Sequence, residues 1–393
     1  MRYLSRSQLE TWQRCPRKGF LQYGYNGIGV VPVYRNVPLT TGIAVHSGVA
    51  GLLQSNTSEQ SIKIALAKYD KEVESRDLSE VLEHAQQFTK AEQRFLIEGL
   101  IYCYRVVELP RILERYDVLQ SEQELEMQLT DDLIFVGTAD AILQDKQSKG
   151  IYVYSLKTIK GVDSRSDANY DNDLQGLTET LITEHNLGKI TAGVRFCFLI
   201  KGQRYQGYGG EIDVQHSPLT RAWKRIQPNG LVGYASSWRQ PNGEGGYTTL
   251  GKVWQQINVW EEMTAREWVT LLLKNKVMPF ESPVIHNQVH VPIEKLRDRH
   301  ELEAVKTELV EQGKLIQIRT ERGMDTKLVD KYAPKHRISC VYPTRCEYYK
   351  VCHEMGPDMF KNVQDEMDCG KLEYRISHHE SEKEYNETIR THS

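Results

Sequence analysis

Apolar and polar positions alternate with two different periods along this chain, and the change of period divides it. In "SRSQLETWQRCPRKGFLQYGY" Leu9 and Trp12 recur at helical spacing. Ser7 followed by Glu10 would close a capping box in front of them. "TGIAVHSGVAGLLQ", Thr41 to Gln54, reads as a second helix despite its glycines, and residues 60–115 keep a helical period. The period then falls to two. "DVLQSEQELEMQL", "LIFVGTADAIL" and "IYVYSLKTI" predict three antiparallel strands, joined by polar turns at Asp131-Asp132 and "QDKQSKG". "DLQGLTETLITEHN" returns to a helix, and "ITAGVRFCFLIKG" is apolar enough for a buried strand. Two more helices are expected around Ala265–Lys274 and Ile293–Gln312. The polar tail after Cys352 reads as poorly ordered.

This order of elements predicts an α/β fold with a mixed central sheet flanked by helices. The expected divisions are a helical N-terminal region over 1–115 and a core over 116–200. An elaborated insertion with helices follows over 201–330, then a cysteine-bearing segment and tail over 331–393.

A charged fraction of 26% marks a globular chain and excludes a disordered one. No apolar run is long enough to cross a bilayer, which excludes a helical membrane protein. "MRYLSRSQLETW" lacks the apolar core of a signal peptide, so a cytoplasmic location is expected. The net charge is −3, so a nucleic-acid partner would have to be met by local basic patches. Arg14, Arg17 and Lys18 around Cys15 form one such group. "RAWKR", with Arg221, Lys224 and Arg225 around Trp223, fits an ordinary solvated helix face with one core aromatic better than it fits a base-stacking site.

Candidate chemistry gathers on the strands. Asp140 and Lys157 lie on neighbouring predicted strands, and alternation puts Ser155 and Lys157 on one face with Leu156 turned away. His46 sits on an upstream helix and Gln175 on the helix that follows. Cleavage of a phosphodiester needs hard ligands for Mg²⁺ or Mn²⁺ and a cation to hold developing charge. Asp140 and the Leu156 carbonyl can supply oxygens, Lys157 the positive charge, and His46 a nitrogen that favours Mn²⁺. Taken singly each has an ordinary reading: a solvated hairpin aspartate, an edge-protecting lysine, a hydrogen-bonded helix histidine. Cys340, Cys346 and Cys352 recur at matched gaps of five residues, and with Cys15 they make four thiols suited to zinc or to an iron–sulfur cluster. Cys103 and Cys197 lie in apolar runs and read as core thiols, and Cys369 in the tail has no assignment.

Five of these stretches, in order, resemble the RecB-like branch of the PD-(D/E)xK nuclease superfamily. They are "SRSQLETWQRCPRKGFL" (Ser-x-Ser-x-Leu, then Cys-Pro), "TGIAVH", "GTADAI", "SLKT" and "LQGLTE". The resemblance implies a restriction-endonuclease-like core and metal-dependent cleavage of DNA, as an exonuclease on single-stranded ends. It also implies a [4Fe–4S] cluster on Cys15, Cys340, Cys346 and Cys352 that staples the two ends together, with zinc as the alternative. Two positions depart from the pattern. The second acid is Ser155, and the tyrosine of the helix motif is Glu179. Gln175 and Glu179 are four apart and share a helix face, so Glu179 could return the missing charge to the metal. Asp173 is a further candidate acid. The competing expectations are a solvated Glu179 in a silent relative that binds DNA or a protein partner, and a zinc-stapled interaction protein.

Overall fold

The computed structural model describes residues 2–24, 28–32, 37–74, 90–162, 173–202, 217–235, 239–241, 247–249, 254–274, 285, 288–292, 294–325, 327–336, 340, 346, 348–354, 358–368 and 374–378. The chain opens with strand β1 (Arg2–Ser5), helices α1 (Arg6–Arg14) and α2 (Pro16–Tyr23), and strand β2 (Ile28–Pro32). The cap of α1 is Ser5, not Ser7. Its hydroxyl accepts from the Gln8 amide while the Gln8 side chain accepts from Ser5, so the capping box sits two residues earlier than the sequence suggests. Helices α3 (Val37–Leu53), α4 (Ser58–Glu74), α5 (Lys90–Val107) and α6 (Leu109–Arg115) follow.

The expected three-stranded meander is β3 (Tyr116–Thr130), β4 (Leu133–Asp145) and β5 (Ile151–Ile159). Helix α7 (Leu174–Leu187) crosses to β6 (Thr191–Ile200), which lies parallel to β5. One edge of β4 is paired with β3 along its length. The other edge is shared. β1 lies parallel to it at Leu133–Val136, and β5 lies antiparallel to it at Ala141–Gln144. Gly137 to Asp140 of that edge are paired with neither strand.

Beyond the core come β7 (Arg221–Ile226), β8 (Val232–Ala235), β9 (Arg239–Pro241), β10 (Tyr247–Thr249) and β11 (Gln255–Asn258). "RAWKR" is therefore a strand, paired on both edges with β8 and β11, and not a helix face. Cross-strand pairing overrides the weak helical spacing of its two apolar residues. Helices α8 (Val259–Glu262) and α9 (Ala265–Leu273) and strand β12 (Val289–His290) precede α10, which runs over Arg299–Gly323, longer and later than expected, because Asp298 caps it. Helices α11 (Val329–Tyr332), α12 (Tyr349–His353) and α13 (Met359–Asp368) lead to β13 (Tyr374–His378). The tail past Cys352 thus holds a helix and a strand. β13 pairs antiparallel with β2, which ties it to the N-terminal region.

The sheet carries a core on each face. Ala141, Leu143, Tyr154, Leu156, Cys197 and Leu199 pack with α3, α4 and α5. Leu133, Phe135 and Ile142 pack with Leu9 and Trp12 of α1, Leu177 and Leu181 of α7, and Leu309 of α10. Cys103 and Cys197 are fully buried thiols, as expected. The result is the α/β architecture with a mixed central sheet between helical layers.

Candidate active site

The gap in the edge of β4 is where the candidate residues meet. Asp140 is the last residue before β4 pairs with β5, and its carboxylate does what the missing ladder would have done: Oδ2 accepts the Leu156 amide at 2.7 Å. Its other oxygen, Oδ1, lies 3.0 Å from His46 Nδ1. His46 reaches it from α3, and Gly42, one turn earlier, lets that helix approach β5. A Cβ on Gly42 would stand 2.8 Å from Thr158 Oγ1. Burial pulls the imidazole pKa of His46 down, but the charge and hydrogen bond of Asp140, with the charge of Glu122, outweigh it and the net shift is upward.

Glu122 was not singled out by any sequence motif. In the β3–β4 ladder, Ser121 faces Ala141 and Gln123 faces Ala139, so Glu122 falls opposite Asp140. Among the described residues, His46, Glu122 and Asp140 are the one trio of His, Cys, Asp or Glu whose ligand atoms all lie within 4.8 Å of one another. Desolvation and the charge of Asp140 raise the Glu122 pKa.

A second set lies around Ser155, which is completely buried. Gln175 Nε2 donates to Ser155 Oγ at 3.0 Å and to Glu179 Oε1 at 2.7 Å. Arg6, also unforeseen, fixes the direction of that amide by donating to Gln175 Oε1 at 2.5 Å. Glu179 is not a solvated helix residue: it is 6% exposed. Burial first, then the charge of Asp140, pushes its pKa up to about 8. Its Oε2 is buried without a hydrogen-bond partner. A buried carboxyl with an orphaned oxygen beside a second carboxylate is a poor arrangement for folding alone, and it is relieved by a cation.

Lys157 emerges at the end of β5 and its Nζ lies 2.5 Å from Asp173 Oδ2, so the other candidate acid is engaged with the lysine. The ammonium also sits 5.6 Å from the centre of the Phe196 ring. The donor set of His46, Glu122 and Asp140, two hard carboxylates and one nitrogen, fits a divalent cation.

The four sequence-predicted cysteines come together at the far end of α1. Cys15 terminates α1 and starts α2, with Pro16 as the first residue of the new helix. The Cys346 amide donates to the Cys340 carbonyl at 2.9 Å, and the Cys352 amide donates to Tyr348 at 2.9 Å. All four thiols are free. Burial raises the pKa of Cys340, and Cys15 and Cys346 add to it. Burial also pushes Cys352 up to about 12, against the opposing charge of Arg17 and with the added influence of the other three sulfurs. No three of these sulfurs lie within 4.8 Å of one another. Cys369 lies outside the described residues.

The basic group around Cys15 divides. Arg14 is exposed on the last turn of α1. Lys18 Nζ stands over the Tyr348 ring at 5.7 Å. Arg17 is 2% exposed: its Nε donates to the Ala333 carbonyl at 2.7 Å and its Nη2 pairs with Asp330. The expectation of a phosphate contact from Arg17 is therefore corrected. Its donors join α2 to the segment that leads to the cysteines.

No curated protein matches the chain by sequence. The family model of the PD-(D/E)XK nuclease superfamily matches residues 3–353, a span that takes in the gapped sheet, His46, Asp140, Lys157 and all four clustered cysteines. The chain belongs to the PD-(D/E)XK nuclease superfamily.

Proposed function

We propose that this protein is a Mn²⁺- or Mg²⁺-dependent deoxyribonuclease of the RecB-like type, acting as an exonuclease on single-stranded DNA ends in the cytoplasm. The observation that carries the reading is the Asp140 carboxylate, held between the Leu156 amide and His46 at the one unpaired stretch of the β4 edge. Bound there, a divalent cation would lower the pKa of a water and polarise the phosphate. His46, Asp140, Glu179 and the Leu156 carbonyl are the groups that would hold it. Gln175 orients Glu179 through its amide, which Arg6 fixes in turn. Lys157, released from Asp173, would set its ammonium against the charge that develops on the phosphate.

The four converging thiols support a [4Fe–4S] staple. A tetrahedral zinc with Zn–S near 2.3 Å would need sulfurs about 3.8 Å apart. No three of the four sulfurs lie that close, and the resemblance to the RecB-like branch favours a four-iron cluster. Arg14 and Lys18 remain as the DNA-facing basic residues of this end.

One observation favours a second reading. Ser155 occupies the acid position fully buried, with its hydroxyl taken by Gln175, an arrangement that a silent DNA- or protein-binding relative would also tolerate. End-labelled single-stranded and duplex DNA, incubated with metal-free protein and then Mn²⁺ or Mg²⁺, separates the two. Cation-dependent release of nucleotides from single strands supports the nuclease. Binding without release supports the silent relative.

A further inference from the structure

We propose that Glu122 is a further protein ligand of the cation position built on His46 and Asp140, so that strand β3 adds a carboxylate to it. This rests on the nuclease reading and adds a residue to it.

Three observations converge on Glu122. Its ligand oxygen, His46 Nδ1 and an Asp140 oxygen lie within 4.8 Å of one another, a spacing that one ion can span. Its place in the ladder is opposite Asp140. Like charges directly across a ladder are destabilising, and among the described residues no lysine or arginine forms an ion pair with Glu122. Its backbone φ is +50, in mid-strand, where a non-glycine side chain is strained. The charges of His46 and Lys68 also act on Glu122, and a cation between the two acids would relieve the repulsion that remains. Glu122 is exposed, which leaves the ion open to water and to a phosphate oxygen from the solvent side.

The test is Mn²⁺ binding by the full-length protein after EDTA treatment, followed by calorimetry and by the electron paramagnetic resonance of free Mn²⁺. Glu122→Gln keeps the shape and removes the charge. Glu122→Gly removes the ligand and relieves the positive φ, so it folds even where the glutamine variant does not. Both are expected to weaken Mn²⁺ at least about tenfold, the scale on which carboxylate count tunes such sites. The melting temperature in EDTA is expected not to fall for Glu122→Gly. Asp140→Asn is the reference. If Asp140→Asn loses Mn²⁺ while both Glu122 variants bind it as the wild type does, Glu122 is not a ligand and the nuclease reading stands. If none of the three changes Mn²⁺ binding, the inference and the nuclease reading fall together.

Discussion

Asp140 holds the amide of Leu156 with one carboxylate oxygen and faces His46 with the other, at 2.7 and 3.0 Å. One side chain thus repairs the sheet and turns its other oxygen toward the candidate site. The two duties separate by mutation. Asp140→Asn keeps an acceptor for the Leu156 amide and loses the charge. Asp140→Ala also strands that amide, at a cost of about 1–3 kcal/mol. Both variants are expected to lose cation-dependent cleavage, while thermal or urea melts in EDTA show only Asp140→Ala destabilised. Cleavage by Asp140→Asn at the wild-type rate would remove Asp140 from the chemistry.

Glu179 and Ser155 both accept from Gln175 Nε2. Glu179→Gln is expected to cut the rate of DNA cleavage by about tenfold or more, as loss of a charged group at a site of developing charge does. Ser155→Asp in that background should restore part of the rate, because a strand carboxylate would occupy the same hydrogen-bonded place. In a silent relative, Glu179→Gln changes nothing and Ser155→Asp alone starts cleavage. Rates for the two single variants and the double, measured in Mn²⁺, distinguish these outcomes.

The cysteine quartet is expected to colour the protein brown when it is purified without oxygen. Cys346→Ala should bleach the visible absorbance and lower the melting temperature, since a metal group held by the four thiols would be coupled to folding. Stoichiometric zinc and no iron in anaerobic protein would overturn the cluster.

Asp145, at the β4–β5 turn, sets an acid limb. Its carboxylate accepts from the Ser148 and Gln147 amides at 2.9 and 3.0 Å and from Arg115 Nε at 2.8 Å. The Ser148 amide first, then Arg115, hold its pKa below the usual aspartate value. A depressed folded pKa contributes stability above the unfolded value of about 4, and that contribution is lost as the pH falls toward the folded one. Asp145→Asn should therefore be less stable than the wild type at neutral pH, and the gap should close toward about pH 2 in urea titrations. A gap that stays constant with pH would mean that the charge of Asp145 is not what the turn uses.

Much of this site could be read from the sequence because it rests on local pattern. Asp140, Lys157, His46, Gln175 and the cysteines sit in short motifs on periodic elements, and the meander and its crossover helix follow from a change of period. Glu122 could not be read, for a reason of register. Counting back from the Asp131-Asp132 turn pairs Gln123 with Asp140. An irregularity between Gln128 and Thr130 shifts the ladder by one residue and brings Glu122 there instead. Arg6 and the short parallel strand β1 were hidden because their partners, Gln175 and β4, are more than a hundred residues away. Arg17 misled for the opposite reason: it looks like its basic neighbours and is distinguished only by partners near residue 330.

Helix α1 is nine residues long, a rod of about 14 Å. Arg6 at its first position grips Gln175 in the site, and Cys15 follows its last. Each end of this rod is anchored in a different piece of chemistry, and Leu9 and Trp12 clamp its middle against the sheet. If the thiols hold a metal group, its loss would reach the Gln175 amide through one rigid body, and the site would lose its alignment while the sheet beneath it still stands.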